Sequence, residues 1–592
     1  MNSATLTQSC DKHIGLILRH TQFCNGHGVF AVLKLMYLSG INQPQNLYFM
    51  RKLMHLVTAL LCVISIDLSA QKIQWNPELK NVSEWDIHDI IGYDATGYYV
   101  TRYKNPHPHV VNATYAYLVT LEKYDFAGHR IFSKDIELGQ GDDSYNFDGI
   151  FYMKNAMIAV MYAPDVKTAY AMKVNPDGSI DGNNKVLIGT IENKWKKEIM
   201  ADNRFMFSSS SDKSTLLACY HKEKENKISI SAIGDTPNIL WSKEITTSFP
   251  EGKFAVLNAV ISGNTAYLLV GGEKVKGKRT STLIIYNHST DAFKQVDVNL
   301  GSGNNIIDIQ MAADNSGNAL LAGLYTTEAS DKDPAGTFLF TADNTGKVIT
   351  NNPLPFTKDF LMKFMSEKKA DKGEGISKLV LNKIIVMNDN SIIFAAEQGN
   401  HMKEDQWFQR QYYHSIANNM NNDITQRSQA GVMEAASAPL ESWEYADAIV
   451  AKLKPDGSVT WIKDFPKKQQ MTSHSVIVPY VCSYGISVTG NTVNVIYNDH
   501  KKNDGLNQDD IDKDRSVLKA SYIDGGPSYI AVILESIDIT TGDSKRITLF
   551  NAEKEKTKLT LYSTLFLQND PNRIIVYRGN DDMDQFGQFI AQ

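Results

Sequence analysis

Cysteine is scarce in this chain, with five among 592 residues, and Cys10, Cys24 and Cys62 fall ahead of the region that reads as folded. Cys219 and Cys482 are too few and too far apart to make a disulfide framework, and each sits in an apolar stretch where a buried free thiol is the common outcome. Proline is sparse at 17 residues, and a basic excess is missing: 60 Lys and Arg against 66 Asp and Glu give a net charge of −6. That balance excludes a nucleic-acid partner recognised through its phosphates. The chain holds no Gly-x-Ser-x-Gly, no Gly-rich phosphate loop ending in Lys-Ser/Thr and no His-Glu-x-x-His, so the common local signatures of hydrolase, nucleotide and zinc chemistry are lacking. No apolar run reaches the roughly 20 residues that cross a bilayer.

The longest apolar run, Leu53 to Ile66, follows Met50-Arg51-Lys52 and ends in Leu68-Ser69-Ala70. This order of basic, apolar and small residues is a secretory signal peptide, with cleavage expected after Ala70. Residues 1–49 then read as a mis-assigned upstream start or a leader, 50–70 as the signal, and 71–592 as the mature chain, exported to the periplasm, the outer membrane or beyond without a membrane anchor.

Repeats dominate what remains. Phe132-Ser133-Lys134-Asp135-Ile136, Trp241-Ser242-Lys243-Glu244-Ile245 and Trp461-Ile462-Lys463-Asp464-Phe465 share one order: aromatic, any residue, Lys, acid, apolar. Their spacings are about two and four multiples of a unit of about 55 residues, the length of a four-stranded blade. Asn175-Pro176-Asp177-Gly178-Ser179 and Lys454-Pro455-Asp456-Gly457-Ser458 are hairpin turns, with weaker copies at Asp125 to Gly128, Asp343 to Gly346 and Thr540 to Asp543. Outer strands are expected near residues 132, 187, 241, 296, 351, 461 and 549. A partial last unit (559–567, 573–577, 585–590) would be completed by Lys72 to Trp75. The expectation is an all-β chain, a single β-propeller of four-stranded blades, seven or eight in number, closed by its two ends.

Two units are longer than the rest, with insertions at about 398–444 and 499–523, and loops on a rigid scaffold are where binding residues concentrate. The first insertion carries Trp407, Phe408, Tyr412, Tyr413, His414 and Trp443. Such a cluster can stack on sugar rings or anchor a protein, or form the insertion's own small core. The second carries Asp510, Asp512 and Asp514 at alternate positions, as a calcium loop does at its first ligands, but Arg515 stands where that loop needs Gly and Ser521 where it needs Glu. A solvated acidic loop is the simpler reading, and calcium is the only cofactor the sequence raises. Asp142-Asp143, Asp581 to Asp584 and His107-Pro108-His109 offer further carboxylates and imidazoles without a spacing that makes them converge.

Glu397-Gln398, Tyr445-Ala446-Asp447-Ala448-Ile449-Val450, Lys454 to Gly457, Trp461, Phe465-Pro466-Lys467-Lys468-Gln469 and Tyr497-Asn498-Asp499 form a pattern that resembles uncharacterised secreted proteins of Bacteroidota. The resemblance covers residues 390 to 505 and implies export and a propeller-like fold; no activity comes with it. Two functions remain: a non-catalytic module binding a protein or glycan on its insertion face, and a propeller hydrolase or lyase of polysaccharides with carboxylates gathered at one channel mouth.

Overall fold

The computed structural model describes residues 73–80, 85–104, 119–136, 145–163, 168–191, 205–222, 225–251, 253–275, 278–330, 332–399, 441–473, 481–522, 529–566, 573–580 and 583–590. All of them belong to the compact unit Gln71–Gln592.

Alternating apolar and polar residues between short turns give antiparallel strands, and these gather into eight sheets. The four blade strands of seven of them come from successive stretches of sequence, at 85–136, 146–190, 206–246, 254–298, 305–355, 379–465 and 485–551, and these are numbered blades 1 to 7. Blade 8 takes Thr560–Phe566, Arg573–Gly579 and Met583–Ile590 from the end of the chain and Gln74–Trp75 from its beginning. The pairing is antiparallel, Gln74 against Gln588 and Trp75 against Gly587. The first strands of neighbouring blades pack together around a hub, and the first strand of blade 8 meets that of blade 1. The ring is therefore an eight-bladed β-propeller. All seven expected outer strands and the closing strand from the N-terminal side are present, and the choice between seven and eight blades falls to eight.

No single core fills the molecule. Each of the eight junctions between blades holds its own apolar cluster, as Leu257, Leu269, Leu321 and Phe338 do between blades 4 and 5, and Ile393, Val450, Val495 and Ile533 between blades 6 and 7. Strands buried on both faces explain why many read as continuous apolar runs, such as the fully buried Ala319–Thr326.

The repeated motif has a physical role in this packing. The turn before the outer strand of blades 2, 5, 6 and 7 bears down on the outer strand of the preceding blade. A Cβ on Gly178 would lie 2.8 Å from Lys134 and 3.0 Å from Phe132, and one on Gly542 would lie 2.6 Å from Trp461. Both glycines also have positive φ, +81° and +76°, so the turn needs glycine twice over. Trp461 fixes the arrangement by donating Nε1 to Ile539 O at 3.1 Å, and Trp241 stacks on His288 of the next turn at 5.2 Å. The motif lysine can follow suit: Lys243 Nζ lies 2.6 Å from Asp291 in that same turn. Aromatic, lysine and Gly-containing turn are thus the two halves of one blade-to-blade contact.

Candidate functional site

Blades 6 and 7 depart from the repeat at one mouth of the ring. Both insertions connect the second strand of a blade to its third, so they leave the ring on the same side and above neighbouring blades. In blade 6 the third strand, Glu441–Leu453, is 13 residues long. Its lower half pairs with the outer strand Val459–Phe465, whereas Glu441 to Tyr445 pair with Gln469–Ser473. Gln469 and Gln470 in turn run parallel to Ser521 and Tyr522 of the second insertion. A ribbon therefore rises from blade 6 and ties the two insertions together.

Beneath this ribbon lies a chain of buried polar side chains. Lys467, fully buried, pairs with Glu397 Oε1 and donates to Gln469 Oε1 at 2.9 Å. Glu397 Oε2 accepts from Ser483 Oγ at 2.5 Å and from Asn382 Nδ2 at 3.3 Å. Gln469 donates to the carbonyls of Ser483 (3.1 Å) and Asn498 (2.8 Å). Asn498 continues the chain by donating to the carbonyls of Val481 (2.8 Å) and Leu561 (2.7 Å), the latter in blade 8. Towards blade 5, Gln310 donates to Asn382 O at 2.9 Å and Asp308 accepts from Leu381 N at 2.9 Å. Four blades are thus joined by one polar chain. Ser483, at its centre, holds a left-handed φ of 64°, which costs a non-glycine residue free energy and is repaid by the bonds its amide, carbonyl and hydroxyl make.

Two further ion clusters flank it. Arg546 donates to Glu535 Oε1 (2.8 Å), Asp499 Oδ2 (2.7 Å) and the Tyr497 hydroxyl, and all four side chains are buried. Burial pushes the Glu535 carboxyl up from its ordinary range, opposed by the Arg546 guanidinium. Nearer the surface, Arg515 of the second insertion bridges Asp447 and Asp464 of blade 6, with Lys363 also on Asp464 and the Phe364 ring 5.4 Å from the guanidinium. Burial raises the Asp447 carboxyl, Arg515 works against that rise, and the Asp464 charge adds to it. Asp464 is the acid of the repeated motif. Its counterparts in blades 1 and 3 bond within their own blade, Asp135 to Thr120 and Glu244 to Lys222, whereas here the acid anchors an insertion.

The second insertion is stapled along its length. Asn503 donates to Asp499 Oδ1 (2.8 Å) and Lys519 O (2.9 Å), and Ile511 and Leu518 are buried beneath it. Asp510 and Asp512 stand on the helix Gln508–Lys513 and not on a loop, with Asn507 as its cap. Asp512 accepts from Gln508 at 2.8 Å, and Asp514 caps the following turn through Ser516 N at 2.9 Å. Residues two apart on a helix project to different sides, so this triplet does not converge as an extended loop would bring it. Among the described residues, no three His, Cys, Asp or Glu side chains gather as a metal site.

Trp407, Phe408, Tyr412, Tyr413, His414, His107, His109, Asp142, Asp143, Asp581, Asp582 and residues 1–72 lie outside the described residues. The backbone of Trp443 pairs with Met471 in the raised ribbon. Asp584 is a buried strand residue that pairs with Arg102 of blade 1 at 2.5 Å and accepts from the Tyr577 hydroxyl. The sequence reading missed Lys467, Gln469, Ser483, Arg515, Glu535 and Arg546 as site residues. A signal existed for some: Glu397, Tyr445, Asp447, Lys467, Gln469, Tyr497, Asn498 and Asp499 all stand in the run of residues singled out between 390 and 505, and the fold gathers them about blades 6 and 7.

No family model and no curated protein matches the chain. Solved structures similar to it include the WD40 domain of SCAP from fission yeast (7% identity, 88% of this chain and 98% of that one, TM-score 0.33). Prolyl oligopeptidase B from Galerina marginata (8%, 77% and 47%, 0.34) and the periplasmic gluconolactonase PpgL of Pseudomonas aeruginosa (11%, 64% and 85%, 0.32) are others.

Proposed function

We propose that this chain is an exported, non-catalytic propeller whose partner, a protein or a glycan, docks on the mouth that carries the two insertions. The observation that carries the reading is the way the insertions are held. Their described ends leave adjacent blades on one side and meet in the ribbon formed by Glu441–Leu453 and Gln469–Ser473, and Arg515 of the second insertion is paired with Asp447 and Asp464 of blade 6. Anchoring of this kind on the second insertion lowers the ordering cost of binding relative to a loose loop. Charge pairing supports the non-catalytic part: Glu397, Asp447, Asp464, Asp499 and Glu535 each face a Lys or Arg, which is how carboxylates serve a structure and not how an acid and base pair is poised. The aromatic side chains of residues 407–413 supply contact area of the kind partners seat on.

The test is a glycan-array and protein-capture screen of residues 71–592 beside the variant Trp407→Ala/Tyr413→Ala, with folding followed by thermal melting. Binding lost from a folded variant supports docking on the insertion. Turnover of a polysaccharide by the parent chain would replace this reading with a hydrolase or lyase. Calcium belongs to the same screen: a melting shift with calcium that disappears in Asp510→Asn/Asp512→Asn would place an ion on the second insertion. Export is checked separately by sequencing the mature N-terminus, expected at Gln71.

A further inference from the structure

The polar chain from blade 5 to blade 8 contains side chains whose orientation is fixed and whose remaining atom points at nothing. The Gln310 amide gives its NH2 to the carbonyl of Asn382, Asn382 gives its own to Glu397, and Asn498 gives its own to the carbonyls of Val481 and Leu561. In each case the NH2 faces an acceptor, so the amide cannot be turned over without losing the bond. The oxygens Gln310 Oε1, Asn382 Oδ1 and Asn498 Oδ1 are thereby directed away, buried, with no donor among the described residues. Tyr484 Oη and Ser521 Oγ are buried in the same way: Tyr484 follows Ser483 in the chain, and Ser521 is the register partner of Gln469. Gln310, Tyr484, Asn498 and Ser521 are all more than nine-tenths buried.

A buried polar atom without a partner costs about 1–3 kcal/mol, and native proteins rarely carry one. Here three lie on one hydrogen-bonded chain, and Tyr484 and Ser521 adjoin its members Ser483 and Gln469. We infer that this seam is a binding site for ordered water, with molecules bonded to Gln310 Oε1 and Asn382 Oδ1 at the junction of blades 5 and 6, and to Tyr484 Oη, Ser521 Oγ and Asn498 Oδ1 towards blade 7. Water suits these atoms because it donates to amide oxygens and both donates to and accepts from hydroxyls, and a buried molecule typically finds about three such partners. A metal ion suits them less well: of the two carboxylates on the chain, Glu397 is already paired with Lys467 and Asp308 accepts from the amides of Leu381 and Ile309. The four-blade arc beneath the insertions is then fastened by solvent as well as by side chains.

Tyr484→Phe and Ser521→Ala test this by sign, since each deletes only the atom in question. If water bonds the hydroxyl, its loss removes hydrogen bonds and the melting temperature of residues 71–592 falls. An unchanged or higher melting temperature in both variants would overturn the inference, because deleting a truly unpartnered hydroxyl relieves a desolvation cost. A crystal structure of the parent chain at a resolution that shows ordered solvent is the second arm. Density within hydrogen-bond distance of Gln310 Oε1, Asn382 Oδ1 and Asn498 Oδ1 supports the seam, and a dry interior or a protein donor at all three refutes it whatever the melting data show.

Discussion

Replacing Lys467 with methionine should be among the most damaging changes of charge in this protein. Its ammonium is fully buried and Glu397 nearly so, so the substitution leaves a carboxylate in the interior with only the Ser483 hydroxyl and the Asn382 amide to solvate it. The Nζ donation to Gln469 Oε1 is lost as well, and with it one of the two bonds that orient the Gln469 amide towards Ser483 and Asn498. Breaking a buried pair from one side costs about 3–5 kcal/mol, against about 1 kcal/mol or less for an exposed pair. Urea unfolding followed by tryptophan fluorescence should place Lys467→Met in the first range. The double variant Lys467→Met/Glu397→Leu removes both charges, and apolar residues of similar volume can replace such a pair at little cost. It should therefore be more stable than Lys467→Met alone, with a coupling of at least about 2 kcal/mol between the sites. A single-variant loss near 1 kcal/mol, or a double variant that simply adds the two losses, would refute the idea that this pair holds the junction of blades 6 and 7.

Five further substitutions have outcomes set by the geometry. Burial pushes the Asp89 carboxyl up to about 8 from 3.8, so the folded chain holds a proton there that the unfolded chain has released; stability from this group is full below about pH 4 and is lost as pH rises towards 8. Asp89→Asn should flatten that decline in melting temperature measured from pH 5 to 9. His221 is shifted the other way, down to about 4 by burial beside Phe254, so it stays neutral when folded and stability falls as pH drops from 6.5 towards 4; His221→Phe should lessen the fall. Trp461→Ala should cost about 3–5 kcal/mol by emptying the contact with the next blade's turn, and Gly542→Ala more than about 1 kcal/mol from positive φ and the close approach to Trp461. Arg515→Ala should cost about 2–3 kcal/mol, since the guanidinium is partly exposed, and should speed proteolysis within 501–522.

Local chemistry made the fold legible. A positive-φ glycine in the turn and an aromatic on the outer strand have direct sequence signatures, and their recurrence at multiples of about 55 residues points to blades while leaving seven and eight both open. The closing strand at Gln74–Trp75 was legible for a different reason: a last unit one strand short leaves an edge that the other end of the chain can fill. The polar chain was not legible, because its members lie 71 and 72 residues apart (Gln310 with Leu381 and Asn382), 86 apart (Glu397 with Ser483) and 63 apart (Asn498 with Leu561), and periodicity says nothing about which side chains meet across blades. Asp510, Asp512 and Asp514 show how local structure changes what a spacing means. Alternate spacing suggests convergence only on extended backbone, and Asn507 nucleates a helix that turns them apart.

Blade 8 sets a timetable for folding. Trp75 is among the first residues of the folded unit to be made and Gly587 among the last, yet the two are register partners. Gln585 likewise donates to the carbonyl of Asn76 across 509 residues. The ring cannot close until the whole chain is present, and until then the outer edge of blade 8 and the apolar face of blade 1 are exposed to self-association. A permuted chain that begins at Asn146 and ends at Ile136, with the old termini joined by a short linker, would turn this last long-range step into a local hairpin and fold with fewer losses to aggregation.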